Sequence, residues 1–151
     1  MKLLLKSDNA VRVIADSAIA RNSQPWFLPD FGENWRWRTA LAFRIGKLGK
    51  NVASRFADRY LDAVTLLWVA EADGFGACDY MDGALVCGNW IPLNEVPEAA
   101  ASLLADVTRS ATIKHGDILA IMNPGESTPI RINDHILLSL DETEVLNFNV
   151  K

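Results

Sequence analysis

The sequence predicts an α+β fold that is mainly β, with two short helices. Three features carry this reading. Residues 34–45, NWRWRTALAFRI, alternate with period two over twelve positions, which is a strand's signature. Several more apolar runs of strand length follow, most of them in the last third of the chain. Helical spacing occurs in only two segments, and these do not alternate with strands as a parallel α/β sheet requires.

Taken in order, MKLLLK opens the chain as a strand, and ADSAIARNSQPWFLPDFGEN follows as a connection punctuated by Pro25 and Pro29. In the 34–45 strand, Trp35, Trp37, Thr39, Leu41, Phe43 and Ile45 point one way, and Arg36, Arg38, Ala40, Ala42 and Arg44 the other. The first set is a core face. GKLGKN then marks a turn, and VASRFADRYLDAV (52–64) reads as a helix with Asn51 as N-cap and Val52, Phe56, Tyr60 and Val64 on one side. TLLWVAEA is a continuous apolar run suited to a buried strand. Residues 73–89 read as a long glycine-rich loop; its acids lack the alternation of a calcium loop. PEAAASLLADVTRSA is the second helix, opened by Pro97, with Leu103, Leu104 and Val107 on one side. The remainder is β: DILAIMN, IRI into an Asn133–Asp134 turn, HILLSL and EVLNFNVK.

The length, 151 residues, suits a single domain spanning 1–151. Half of the residues are hydrophobic, so the chain has enough apolar material for a core. A net charge of −4, with both signs interspersed, argues against nucleic-acid binding, which needs a basic surface. No apolar run approaches a membrane span, and the three leucines before Lys6 are too few for a signal peptide. No membrane association and a cytoplasmic location are therefore expected. Cys78 and Cys87 lack metal or redox spacing and read as buried free thiols. His115 and His135 sit beside turns and read as surface histidines. Trp35, Trp37, Trp68 and Trp90 read as core aromatics or as a partner surface.

Four stretches, SQPWFLPDF, RIGKLGKNVASRFADRYLDAVTL, YMDGALVCGNWIPL and TIKHGDILAIMNPG with INDHILLSLDETEVLNFNVK, resemble in that order the fumarylacetoacetate hydrolase family. The resemblance implies a compact β-roll, a dimer, and a Mg²⁺-dependent hydrolase, isomerase or decarboxylase of 2-oxo acids. In such enzymes the cation stabilises an enolate and is held by a Glu-x-Glu pair and an Asp, all hard oxygen donors.

Laid onto this chain, the resemblance places the Glu-x-Glu pair at Arg38 and Ala40 and the Asp at Val69. The pocket lysine falls on Asp79, a second lysine on Ile14, and the Thr-Gly-Thr that receives a substrate carboxylate on Ile121, Met122 and Asn123. A lid carrying the general-base His is missing between MKLLLK and VRVIADS, and a further stretch between GNWIPL and AAASLLADV. No catalytic residue and no metal ligand remain, so no cofactor is expected.

For the arginine face two readings stay open: a sheet surface bared to solvent by loss of the lid, or an Arg38–Asp79 pair in the old pocket. For function, three remain. The chain is a non-catalytic relative serving as a structural or regulatory subunit, as a homodimer or in a heteromer with an active family member. Or it is a small organic-acid binding module. Or it is a residual hydrolase, isomerase or decarboxylase acting on 2-oxo acids.

Overall fold

The computed structural model describes residues 1–74 and 79–151. Its elements are β1 (Leu3–Ser7), β2 (Ala10–Ile14), β3 (Ile19–Arg21), β4 (Arg36–Ile45), β5 (Leu61–Glu71), β6 (Leu85–Cys87), β7 (Ile91–Pro92), α1 (Glu98–Thr108), β8 (Ile118–Met122), β9 (Thr128–Pro129), β10 (His135–Leu140) and β11 (Thr143–Asn149). Two 3₁₀ segments, Asp16–Ala18 and Ser54–Arg59, are also described. The main sheet runs β2-β1-β8-β4-β5-β6-β3, with β7 on β5 and β9 on β4; β10 and β11 form a separate hairpin. The β1–β8 and β3–β6 pairs are parallel, the others antiparallel. This is the mainly-β arrangement expected.

Strand alternation sorts the core into layers. Leu3, Leu5, Ile14, Ala40, Ala42, Leu67, Val69, Leu85 and Ala120 share one buried cluster. Strands from both ends of the sheet order contribute to it, so the sheet curls into a half-barrel around them. The intervening residues face outward into two further clusters. Leu4, Phe43 and Leu119 pack against Leu103, Leu104 and Val107 of α1. Trp68 and Val86 pack against Val145, Leu146 and Phe148 of the hairpin, with Trp26 and Trp35.

Several local expectations are corrected. The helix read over 52–64 is a 3₁₀ segment at 54–59, and β5 already begins at Leu61. A spacing of four is also a multiple of two, so Val64 serves the ladder, opposite Phe43 and Ile91. Asn51 has φ +52°, a left-handed conformation unlike the extended one of an N-cap. The loop read over 73–89 contains β6 at 85–87. IRI is not a strand; the pairing with β4 falls at Thr128–Pro129 instead. The helix opened by Pro97 is observed at 98–108, with Leu103, Leu104 and Val107 buried as read. Between MKLLLK and VRVIADS, where the family resemblance has a lid, β1 and β2 form a hairpin closed by Asp8 and Asn9, with Asp8 at φ +56°.

The arginine–alanine face of β4 meets solvent only at its arginines, Arg36, Arg38 and Arg44, which are half-buried. Ala40 and Ala42 are both fully buried, so β4 is packed on its two sides. Trp35, Trp37 and Trp68 gather as one aromatic group, but Trp90 packs on the opposite cluster and Trp26 joins in its place. Trp26 stands edge-on to Trp68 at 4.8 Å between centroids, and Phe148 does so at 5.1 Å. Cys87 is half-buried and free, while Cys78 lies outside the described residues.

Candidate functional site

The β4–β5 ladder sets Arg36 opposite Glu71, Arg38 opposite Val69 and Ala40 opposite Leu67. Directly opposed residues share a face, so the three positions drawn from the family pattern, Arg38, Ala40 and Val69, converge on the inside of the curl. What they offer there is a guanidinium, a methyl and an isopropyl group. Ala40 and Val69 are buried, with Leu3, Leu5, Ile14 and Leu67 in the same cluster. Ile14, where the pattern has a lysine, is 1 % exposed and adds to this apolar filling. A hard divalent cation needs several oxygen donors, and these residues provide none. The residues present do not fit Mg²⁺. Among the described residues no cluster of three His, Cys, Asp or Glu side chains could hold a metal elsewhere.

The charged positions are placed differently from the pairing considered above. Arg38 Nε donates to Glu71 Oε1 at 2.7 Å, and Asp79 Oδ1 lies 3.1 Å from Arg12 Nη1. Each therefore meets another residue, and the Arg38–Asp79 pair is corrected to two separate pairs. The Asp79 carbonyl also accepts from Ala15 N at 2.8 Å, tying its loop beside the end of β2. Asn123 turns to Thr39: its Nδ2 donates to Thr39 Oγ1 at 2.8 Å and its N to Thr39 O at 2.9 Å. Thr39 belongs to the opposite set of β4 side chains, so Asn123 does not join Ala40. Ile121 and Met122 divide between the two faces as alternation requires.

Beyond the apolar filling the half-barrel end opens as a polar cleft of about 610 Å³, lined by Arg36, Arg38, Glu71, Asp73, Glu126 and Ser127, among others. Arg36 donates from Nε to Ser127 Oγ and from Nη2 to Ser127 O, both at 2.7 Å. Asn34 Nδ2 donates to Asp73 Oδ2 at 2.6 Å. Sequence reasoning found Arg36 and Arg38 but missed Glu71, Glu126 and Ser127. Glu71 was available in principle, as the acid ending the run that pairs with β4. Glu126 and Ser127 carry no motif and reach the cleft only because β9 pairs with the start of β4.

Away from the cleft, His115 and His135 are exposed, and His135 Nε2 lies 2.7 Å from Asn147 Oδ1. Burial pushes the Cys87 thiol up to about 11, which keeps it protonated and unreactive near neutral pH.

The sequence matches no family model and no curated protein. The fold, however, is shared with solved structures over 99 % of this chain. Maleylpyruvate hydrolase from Sphingobium sp. SYK-6 superposes with a TM-score of 0.86 at 18 % identity, over 69 % of its own length. The 2-hydroxyhepta-2,4-diene-1,7-dioate isomerase from Mycobacterium marinum gives 0.84 at 17 %, over 73 % of its length. A protein from Yersinia pestis described as a member of the fumarylacetoacetate hydrolase family gives 0.82 at 14 %, over 92 % of its length. The chain thus has the fumarylacetoacetate hydrolase fold. The Sphingobium hydrolase has also been solved in complex with manganese(II) and pyruvate.

Proposed function

We propose that this chain is a non-catalytic relative of the fumarylacetoacetate hydrolases. It serves as a structural or regulatory subunit, self-associating as a homodimer and pairing with an active family member. The observation that carries this reading is the filled half-barrel. Arg38, Ala40 and Val69 stand where the family resemblance puts the three oxygen donors, and Ala40 and Val69 lie in a buried apolar cluster. An enzyme that depends on a chelated cation has no route to its enolate on such a surface.

The test is titration of the purified chain with Mg²⁺ and Mn²⁺, followed by assay on a panel of 2-oxo acids and acylpyruvates. Metal should shift neither the unfolding temperature nor turnover. Native mass spectrometry of the chain mixed with an active homologue from the same genome should show mixed oligomers. Saturable, metal-dependent turnover by the chain alone overturns the proposal.

The arginines over the polar cleft favour a second role beside the first, the binding of a small molecule without turnover. A cleft of this size falls in the range of about 300–1,000 Å³ typical of ligand sites.

A further inference from the structure

The cleft's charges are unequally satisfied, and the inequality specifies a ligand. Arg38 spends its Nε on Glu71, and its two Nη groups donate to no described residue. They are not among the buried nitrogens lacking a partner, so they face solvent in the cleft. Arg36 rests its Nε and Nη2 on Ser127, a neutral residue. Its Nη1 is likewise uncommitted, and no carboxylate of a described residue lies within ion-pair distance of it.

The acids divide in the same way. Glu71 is neutralised by Arg38. The Asp73 carboxylate accepts from the Asn34 amide, and among the described residues neither it nor Glu126, exposed next to Ser127, enters an ion pair. Among the described residues lining the cleft, Arg36 is a cation and Asp73 and Glu126 are carboxylates without an ion pair.

A plain carboxylate entering this space gains from Arg36 and the Arg38 fork but is repelled by two acids. A plain amine meets the reverse. A molecule carrying both groups satisfies each side, since a guanidinium end presents paired N–H donors to a carboxylate, and Glu126 and Asp73 accept from an ammonium.

We propose that this cleft binds a small zwitterion of the amino-acid class, with its carboxylate on the Nη groups of Arg36 and Arg38 and its ammonium on Glu126 and Asp73. The excess acid favours a ligand with a second ammonium group. This inference rests on the small-molecule role given above and assigns it a chemical class other than a simple organic acid. Of the three positions where the family pattern has metal ligands it uses Arg38 alone, and it does not use the apolar filling.

The experiment is calorimetric titration of the full chain with glycine, lysine, acetate and ethylamine. Lysine should bind more tightly than glycine. Acetate and ethylamine should each bind at least about tenfold more weakly than lysine. Glu126→Gln should weaken lysine by about tenfold while leaving the unfolding temperature unchanged, because the side chain is exposed. Acetate binding as tightly as glycine and lysine would remove the zwitterion and leave an organic-acid site standing. No saturable heat with any of the four would remove both readings, and lysine binding unaffected by Glu126→Gln would remove the assigned pose.

Discussion

Arg38 donates from Nε to Glu71 Oε1 across 2.7 Å, a diagonal step on a ladder that sets Val69 directly opposite Arg38. The contact explains how a guanidinium is tolerated at the rim of an apolar half-barrel: its charge is met on the same face, two residues along the partner strand. Both side chains are partly exposed, at 29 % and 39 %, so the pair is worth about 0.2–1 kcal/mol. The double variant Arg38→Glu/Glu71→Arg should recover most of the loss caused by Arg38→Glu alone in urea unfolding. Arg38→Glu/Asp79→Lys should be additive to within about 0.5 kcal/mol, as for residues that share no contact. Coupling in the second pair and none in the first would restore the Arg38–Asp79 pairing.

Gly88 is where the hairpin meets the main sheet. A Cβ there would lie 2.6 Å from Thr65 Oγ1, 2.8 Å from Val145 O and 3.0 Å from Leu66 O. Two of these are backbone atoms and cannot swing aside. Gly88→Ala should therefore cost about 1–3 kcal/mol or more, and exchange protection of β11 amides should fall before that of β1. Wild-type stability in this variant would mean that the hairpin does not pack on β5 as described.

Asp117 anchors the start of the chain to β8. Its carboxylate accepts from Lys2 N at 3.0 Å, Lys2 Nζ at 2.9 Å and Lys114 N at 2.9 Å. Burial pushes its pKa up, but the hydrogen bonds from Lys2 and Lys114 and the Lys2 charge outweigh this, and the net shift is downward. A pKa depressed in the folded state contributes stability above the unfolded value of about 3.9 and loses it as pH falls through the folded value. Acid unfolding should thus have a component below about pH 4. Asp117→Asn should lower stability at pH 7 and flatten that limb. An unchanged acid limb would show that the carboxylate is not held in this way.

The elements legible in the sequence are those whose pattern admits one period. The strand at 34–45 and the helix after Pro97 each had a strict repeat and a flanking signal, and both stand. The helix read over 52–64 breaks at its end because Val64 fits both periods, and its pairing with Phe43 of β4 puts it in a strand. At the site, strand alternation placed Arg38 and Ala40 on one face, and the β4–β5 register adds Val69 to it. Alternation could not show that this face is filled with buried apolar side chains, since the filling comes from β1, β2 and β6. Nor could it supply Glu71, Arg12 or Ser127, whose proximity follows from register and the curl of the sheet.

Cys87 should be slow to alkylate. Its thiol is pushed up to about 11 by burial, and the thiolate is the reactive form. Mass spectrometry after iodoacetamide at pH 8 should find the peptide carrying Cys87 largely unmodified in the folded protein and modified in urea. Rapid labelling without denaturant would contradict the burial of β6.

The inside of the half-barrel gives the most direct test of the proposed non-catalytic reading. Ala40 is fully buried among Leu3, Leu5 and Leu67, so Ala40→Glu both overpacks the cluster and buries an acid without a partner. Loss of about 3–5 kcal/mol is expected in urea unfolding, the magnitude associated with an uncompensated buried charge. Mn²⁺ should not recover it, because one carboxylate is too few donors for a hard cation. The triple variant Arg38→Glu/Ala40→Glu/Val69→Asp behaves differently: it sets three carboxylates on one face, with Glu and Asp directly opposed at positions 38 and 69. It should be unstable alone and regain stability with Mn²⁺, by about 2.7 kcal/mol when the metal is at a hundred times its dissociation constant. A folded triple variant indifferent to Mn²⁺ would mean that the three positions do not converge. Tolerance of Ala40→Glu at wild-type stability would mean that the cluster is open to water, and the case for a filled half-barrel would fall with it.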